Sequence, residues 1–263
     1  MQNIKTDSGS LSGKRILAAV LLSIVMAAPA IVVYRLAFSS SHFLDVRTGP
    51  INFQWFVAAT TPYWLNATIT SVLLALGVTS AAIFIAVPAA FYHFRWPGAL
   101  SSRAIDLAAT AILLIPPISL AVGYFRSFGD VSILPLVLGH VLLAFPFPYF
   151  SLRVGLASVP SDVSDAAGLL GASDFDIMLR VLLPTLRSYL LLGALLAFLT
   201  SWDETVLSVF LTRPDLVTLP KAVWETMQRE RNLTAAAINA IVAPLFAISI
   251  VQLFIQSSKK AKL

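Results

Sequence analysis

Two adjacent acids inside an apolar run are the residues of this chain most suggestive of chemistry. Asp203 and Glu204 stand in "LTSWDETVLSVFL", residues 199–211. Acids in an apolar segment face a bundle interior or a water-filled cavity, where they mark a pathway or meet a fixed partner. We expect one acid to line the outer mouth of a path and attract a cation. The other would pair with a basic residue, either Arg126 or one on a neighbouring subunit.

Polar and aromatic neighbours complete this candidate pathway. Ser201 and Trp202 directly precede the acids, and an indole ring can hold an ammonium group over its face. Consecutive helix residues are about 100° apart, so Asp203 and Glu204 cannot share one direction. The alternative is that both acids form salt bridges at the membrane interface and never meet a solute.

The composition indicates which class of protein carries these acids. Of 263 residues, 58% are hydrophobic and 12% are charged, whereas soluble domains carry about 25% charged residues. The chain is therefore a polytopic membrane protein. It has no cysteine, which excludes disulfides, thiolate metal sites and cysteine nucleophiles. We attribute the net charge of +5 to residues that fix membrane orientation rather than to nucleic-acid binding.

Apolar stretches of about 20 residues, long enough to span a bilayer, predict an all-α protein with six transmembrane helices. They run over residues 16–38, 66–92, 104–125, 131–150, 186–211 and 235–256. Prolines interrupt the third and fourth, so kinks are expected there. Most of the 18 Lys and Arg residues fall on the side that holds both termini, which predicts that side to be cytoplasmic. The predicted parts are a cytoplasmic segment 1–15, a membrane domain 16–256 and a basic cytoplasmic tail 257–263.

A polar loop between the fourth and fifth spans has the pattern of a helical hairpin, residues 160–184. Ser161 can cap a first helix that Gly171 ends. Ser173 followed by Asp176 can form a capping box for a second helix. That helix is predicted to place four residues on one face before Pro184: Phe175, Met178, Leu179 and Leu182. The small residues of the hairpin suit docking into a groove on a partner. An amphipathic connector lying on the membrane surface would have a similar sequence pattern.

The stretch "DAAGLLGASDFDIMLRVLLP" resembles the EAA loop of permease subunits from binding-protein-dependent ABC importers. The residues at the spacing of that pattern are Asp165, Ala166, Ala167, Gly171, Leu183 and Pro184, with Asp165 in place of Glu and Val181 in place of Ile. Further stretches, "YWLNATITSVLLALG", "GHVLLAFPFPYF" and "FLTSWDETVLSVFLT", resemble the spermidine/putrescine branch of that family.

The resemblance implies a type I ABC importer permease fold in the bacterial inner membrane, with a cytoplasmic coupling helix between spans 4 and 5. The residues implied to contact the ATPase are Asp165, Ala166, Ala167, Gly168, Gly171, Ala172 and Pro184. Implied partners are an ATPase dimer that holds ATP and magnesium, a second and non-identical permease, and a solute-binding protein. The chain lacks a G-x-x-x-x-G-K-[ST] phosphate loop, so we expect no cofactor in it and no enzymatic activity of its own.

The implied solute is a polyamine, and the same importer class leaves open an opine, an aminophosphonate or an amino-acid-like compound. An ATP-independent secondary transporter is the alternative from another class, against which stand the hairpin and the lack of a repeat between the two halves. A membrane-embedded enzyme is a further alternative, but no catalytic constellation occurs at recognisable spacing.

Three smaller expectations concern residues outside these motifs. His140 is predicted to make a structural hydrogen bond within the membrane. Asp106 is predicted to pair with Arg103, three residues earlier on the same helix. A surface helix is expected from about Lys221, either contacting a soluble binding protein or resting on the membrane.

Overall fold

The computed structural model describes residues 8–40, 50–128, 132–229 and 233–260, and within these ranges every regular element is a helix. The all-α class is therefore confirmed. The helices are α1 (Ser8–Ala37), α2 (Gln54–Ala59), α3 (Pro62–Arg95), α4 (Leu100–Leu114), α5 (Pro117–Phe128), α6 (Ile133–Ala144), α7 (Pro146–Ala157), α8 (Ser161–Leu169), α9 (Asp174–Thr185), α10 (Arg187–Trp202), α11 (Thr205–Leu211), α12 (Leu219–Arg229) and α13 (Thr234–Lys260).

Fewer described helices meet the length and composition of a membrane span than the six that the sequence predicts. Three do so: Ile16–Ala37, Pro62–Arg95 and Ile133–Ala157, the last formed by α6 and α7 together. Two bent pairs, α4 with α5 and α9 with α10, raise the number to five if each pair is one span. In α13 the apolar part is the shorter stretch Thr234–Ser249. Of the predicted tail 257–263, α13 covers the part up to Lys260, and residues 261–263 lie outside the described ranges.

Prolines act differently in the third and fourth predicted spans. Ile115 precedes Pro116 and takes an extended backbone, as expected because proline disfavours the helical region for the residue before it. The chain bends by 102° between α4 and α5 at this point. Phe145 precedes Pro146 and stays helical, with φ −53° and ψ −42°, so α7 continues α6. This helix runs on to Ala157, seven residues beyond the predicted end at 150.

The chain divides into two compact units, one of Met1–Thr61 with Glu230–Leu245 and the other of Pro62–Arg229 with Phe246–Leu263. In the first unit the indole N–H of Trp55 donates a hydrogen bond of 2.9 Å to the carbonyl of Ser39. The buried core of that unit consists of Leu36, Ala37, Trp55, Leu233, Ala237 and Ala240.

The second unit is built on close packing among α3, α7 and α10. Small residues on the contacting faces allow this, as they do between membrane helices generally. A Cβ added to Gly193 would lie 2.6 Å from the Cα of Pro148, and one added to Gly155 would lie 2.7 Å from the ring of Tyr189. Helix α3 contributes buried alanines at Ala75, Ala82, Ala86 and Ala90.

A polar cluster joins α3, α4 and α7 at Asp106. Its carboxylate pairs with Arg153 and accepts a hydrogen bond of 2.7 Å from the hydroxyl of Tyr149. Nδ1 of His93 lies 3.5 Å from the second carboxylate oxygen. The expected pair between Asp106 and Arg103 is therefore wrong, because Asp106 is turned toward α7 while Arg103 is exposed.

Candidate functional site

Helices α8 and α9 form the predicted hairpin at residues 160–184. Helix α8 begins at Ser161, with Pro160 in the N-cap position, so the predicted N-cap is wrong by one residue. Helix α9 is capped by Ser173, whose hydroxyl accepts from the amide of Asp176 at 3.2 Å and donates to its carboxylate at 2.6 Å. The half of the expected capping box in which the cap hydroxyl accepts from a backbone amide is thus present.

Gly171 ends α8 through a Schellman motif. Its φ is +87°, a left-handed conformation that glycine adopts without a steric penalty. Its amide donates to the carbonyl of Gly168 at 2.9 Å, and the amide of Ala172 donates to the carbonyl of Ala167 at 3.1 Å. These two bonds define the motif. Four of the predicted coupling residues therefore shape the turn.

The hairpin tip presents two leucines that the sequence reasoning did not select. Leu169 and Leu170 are each 90% exposed, the largest exposure of any large apolar side chain in the described residues. Asp165, Ala166 and Pro184 are exposed as well. The available signal was position, since these are the two large apolar residues immediately before the helix-ending Gly171.

A π-helical turn over Ile177–Leu182 changes which face of α9 is buried. In a π-helix the hydrogen bonds join residues five apart, which places Ile177 and Leu182 on one face. They are 1% and 2% exposed and belong to a buried apolar cluster that includes residues of α3, α4 and α7. Of the four residues predicted to share a face, Leu182 is buried and Met178 half-buried, whereas Phe175 and Leu179 are exposed, so the face predicted from α-helical spacing is only partly the buried one.

The adjacent acids lie in a helix break, not within a continuous helix as the predicted span 186–211 implied. Helix α10 ends at Trp202, and α11 begins at Thr205. Glu204 is the N-cap of α11, and its carboxylate accepts a hydrogen bond of 3.0 Å from the amide of Leu207. A carboxylate at a helix N-terminus is also attracted by the positive end of the helix dipole. The helix start therefore stabilises Glu204 where a basic residue was expected.

Asp203 is the free member of the pair. Its side chain is exposed, whereas Glu204 is half-buried. Among the described residues no salt bridge reaches either acid, and Arg126 on α5 is exposed. The break therefore presents an exposed carboxylate that no described basic side chain pairs with.

Ser201 and Trp202 are packed away at the end of α10. The hydroxyl of Ser201 lies 2.9 Å from Nδ1 of His140, which supplies the structural hydrogen bond expected for that histidine. Trp202 is 8% exposed, with its ring stacked on Phe198 at 6.1 Å and edge-on to Phe246 at 6.4 Å. Neither side chain presents an open surface beside Asp203 in this conformation.

A buried lysine holds the other end of α11. Nζ of Lys221 donates to the hydroxyl of Thr212 at 2.7 Å and to the carbonyl of Arg213 at 3.0 Å. Cations favour helix C-termini. Helix α11 therefore has Glu204 at its start and, at its end, Lys221 from α12. Helix α12 begins at Leu219, two residues before the predicted start of the outer helix. In the described ranges no three His, Asp or Glu side chains gather to hold a metal ion.

Relatives of this chain are transport permeases whose names give different solutes. The chain is 29% identical to an alpha-glucoside transport system permease protein of Rhizobium meliloti over 76% of its own length, and it spans 60% of that relative. It is 28% identical to a trehalose transport system permease protein of Mycobacterium tuberculosis, covering 72% of each chain. It is 26% identical to a spermidine/putrescine transport system permease protein of Haemophilus influenzae, covering 71% of this chain and 72% of the relative.

A solved structure shares the fold. The match is to a bacterial ABC transporter involved in the import of the acidic polysaccharide alginate, with a TM-score of 0.69 and 16% identity over 95% of this chain and 99% of the other. The family model described as the binding-protein-dependent transport system inner membrane component matches residues 82–260, more than half of the sequence. The chain therefore belongs to the family of inner membrane permease components of binding-protein-dependent ABC importers.

Proposed function

We propose that this chain is one of two permease subunits that together enclose the solute path of an ATP-driven importer. It would span the inner membrane six times with both termini in the cytoplasm. A separate ATPase dimer would bind ATP and magnesium, and a solute-binding protein would deliver solute from outside. ATP binding would move the hairpin and open the path outward, and hydrolysis would reset it by rigid-body motion.

The observation that carries this proposal is the exposed apolar tip of the hairpin. A tip with two leucines at 90% exposure suits docking to a partner surface, since burying apolar area is the dominant favourable term in protein association. The Schellman turn at Gly171 fixes the direction in which Leu169 and Leu170 point. We assign the tip to a cleft on the cytoplasmic ATPase, with Asp165 and Ala166 beside it.

Co-purification of the ATPase tests this assignment. We expect Leu169→Ser with Leu170→Ser to release the ATPase from a tagged permease. The matched control is Ile133→Ser with Leu134→Ser, an adjacent apolar pair at 54% and 55% exposure at the start of α6. Retention of the ATPase by the tip variant would refute docking through the tip. If the wild-type permease retains no ATPase at all, an ATP-independent transporter becomes the better description.

For the solute we propose a small cation, of which a polyamine is the leading case. The supporting observation is the exposed carboxylate of Asp203 at a break between two helices, because broken helices at membrane depth occur where they line a cavity or meet protein. The resemblance to polyamine permeases points the same way. Asp203, and not Glu204, would attract the solute, since the amide of Leu207 already engages Glu204.

A sugar is the second candidate solute, favoured by the alpha-glucoside and trehalose relatives. Uptake into cells expressing the complete transporter decides between the two. Labelled putrescine, spermidine, trehalose and maltose would each be offered to the same cells. Uptake of the cations alone supports the polyamine assignment, and uptake of a sugar alone overturns it while leaving the importer assignment in place.

A further inference from the structure

Helix α3 contacts the hairpin near its last residue and α12 near its first residues. It is a single helix of 34 residues, about 50 Å long at 1.5 Å per residue. Its last residue is Arg95, close to the hairpin. Its first three turns lie beside α12, which follows α11 in the chain. This placement makes α3 a candidate for transmitting movement along the unit.

Arg95 bonds to both helices of the hairpin. One guanidinium nitrogen lies 3.2 Å from the carboxylate of Asp174, the first residue of α9. The other donates to the hydroxyl of Ser164 on α8 at 3.4 Å, and Ser164 is 2% exposed. A guanidinium is a planar fork with fixed donor directions, so this one side chain sets the position of two helices relative to α3.

This connection differs from the other attachments of the hairpin. The chain itself joins α8 to α7 through residues 158–160 and α9 to α10 through Leu186, so those helices follow the hairpin by covalent linkage. Helix α3 has no such link. The apolar cluster that Ile177 and Leu182 share with residues of α3, α4 and α7 is non-directional and permits sliding, whereas the ion pair and the hydrogen bond of Arg95 join specific atoms of α3 to specific atoms of α9 and α8.

The opposite part of α3 is bonded to α12. The hydroxyl of Ser71, 3% exposed, accepts a hydrogen bond of 2.8 Å from the amide of Leu219 at the start of α12. The hydroxyl of Tyr63 donates to the carboxylate of Glu225 at 3.5 Å. A displacement of α3 along its axis would therefore pull on α12 through these two hydrogen bonds.

We infer that Arg95 is a positioning residue that locks the coupling hairpin to α3, so that displacement of the hairpin moves α3 as a rigid body and reaches α12. The inference rests on the proposed docking of the hairpin to an ATPase. The pair of Arg95 with Asp174 is partly exposed, at 32% and 47% of the two side chains, and such pairs add little to stability. Its importance is geometric, and variants at Arg95 are expected to fold.

The absence of cysteine from the sequence permits a direct distance measurement. Spin labels at Val163→Cys on α8 and Leu73→Cys on α3 occupy exposed positions, and Leu73 lies about 33 Å along the helix from Arg95. Double electron–electron resonance would be recorded on the complete transporter in lipid nanodiscs, with the other subunits free of cysteine. The two states compared are nucleotide-free and trapped with ATP and vanadate.

The native pair is expected to give one narrow distance that trapping leaves unchanged. With Arg95→Ala the distribution should broaden and shift on trapping, while the ATPase stays bound. The exchange of Arg95→Asp with Asp174→Arg should restore the narrow distribution. Arg180→Ala is the matched control, because Arg180 makes an exposed ion pair with Asp176 in the same hairpin and should change nothing.

Three results would overturn the inference: a nucleotide-dependent distance with native Arg95, an unchanged distance with Arg95→Ala, or no recovery in the charge exchange. Each of these leaves the proposed function standing as long as the ATPase co-purifies with the labelled permease. Loss of the ATPase from the otherwise native, labelled transporter would instead count against the proposed function itself.

Discussion

The hairpin turn and the helix break are both places where polar or small residues interrupt helical structure, but they use their residues in opposite ways. At the turn, Ala167, Gly168, Gly171 and Ala172 form the backbone motif, and the neighbouring leucines remain exposed. At the break, Glu204 caps a helix, and the neighbouring Asp203 remains exposed. In both regions the residues that shape the backbone support a different residue that is free to meet a partner.

The largest stability change in this comparison is expected at Gly171. A valine at φ +87° is strained, and we expect Gly171→Val to destabilise the hairpin by about 1–2 kcal/mol. The melting temperature of the purified permease and its retention of the ATPase should both fall. Gly168→Ala is the control for the melting temperature, since its added Cβ meets nothing within 4 Å and alanine favours a helix. Equal loss in both variants would mean that left-handed strain is not the cause.

Glu204→Ala should have the next largest effect, at the break. Removing the N-cap leaves the amide of Leu207 without its acceptor and is expected to cost about 1 kcal/mol. Amide hydrogen exchange at Leu207 should accelerate about fivefold. Glu204→Gln keeps an acceptor oxygen and should exchange close to the native rate. If Gln behaves like Ala, the negative charge rather than the hydrogen bond stabilises α11.

Local capping chemistry explains which parts of the fold and the site could be predicted from the sequence. Gly171 and Ser173 act through residues within a few positions of themselves, and both ends were predictable. The π turn in α9 and the pairing of Asp106 with Arg153 depend on neighbouring helices, about which a single-helix pattern carries no information.

The helix break could not be predicted from the sequence, for a related reason. The apolar run 186–211 reads as one span, and only the backbone at Glu204, with ψ 98°, reveals two helices. The bend at Pro116 was anticipated as a kink, but its 102° angle depends on how α5 packs. The motif specifies the small residues that hold the turn and carries no information about Leu169 and Leu170.

A smaller effect is expected from the cap on the hairpin. Ser173→Ala removes an exposed N-cap of α9 and should cost about 0.5–1 kcal/mol, toward the low end for such caps. Exchange at the amide of Asp176 should accelerate less than exchange at Leu207 does in Glu204→Ala. Ser173→Thr retains a hydroxyl and serves as the control. A larger effect at Asp176 than at Leu207 would reverse the ranking of the two caps.

Asp203→Asn is expected to change stability least, because its carboxylate is exposed and no described residue pairs with it. A surface substitution of this kind shifts stability by about 0.5 kcal/mol or less, so the variant should assemble with its partners like the native chain. Uptake of putrescine should nevertheless fall, since the neutral amide cannot attract a cation at the break. Asp203→Glu keeps the charge and should retain part of the uptake. Glu204→Gln should transport almost normally, because the native carboxylate of Glu204 caps α11 through the amide of Leu207 and does not attract the solute. The reverse result, with Asp203→Asn active and Glu204→Gln inactive, would assign solute attraction to the capping residue and remove the distinction between the two acids.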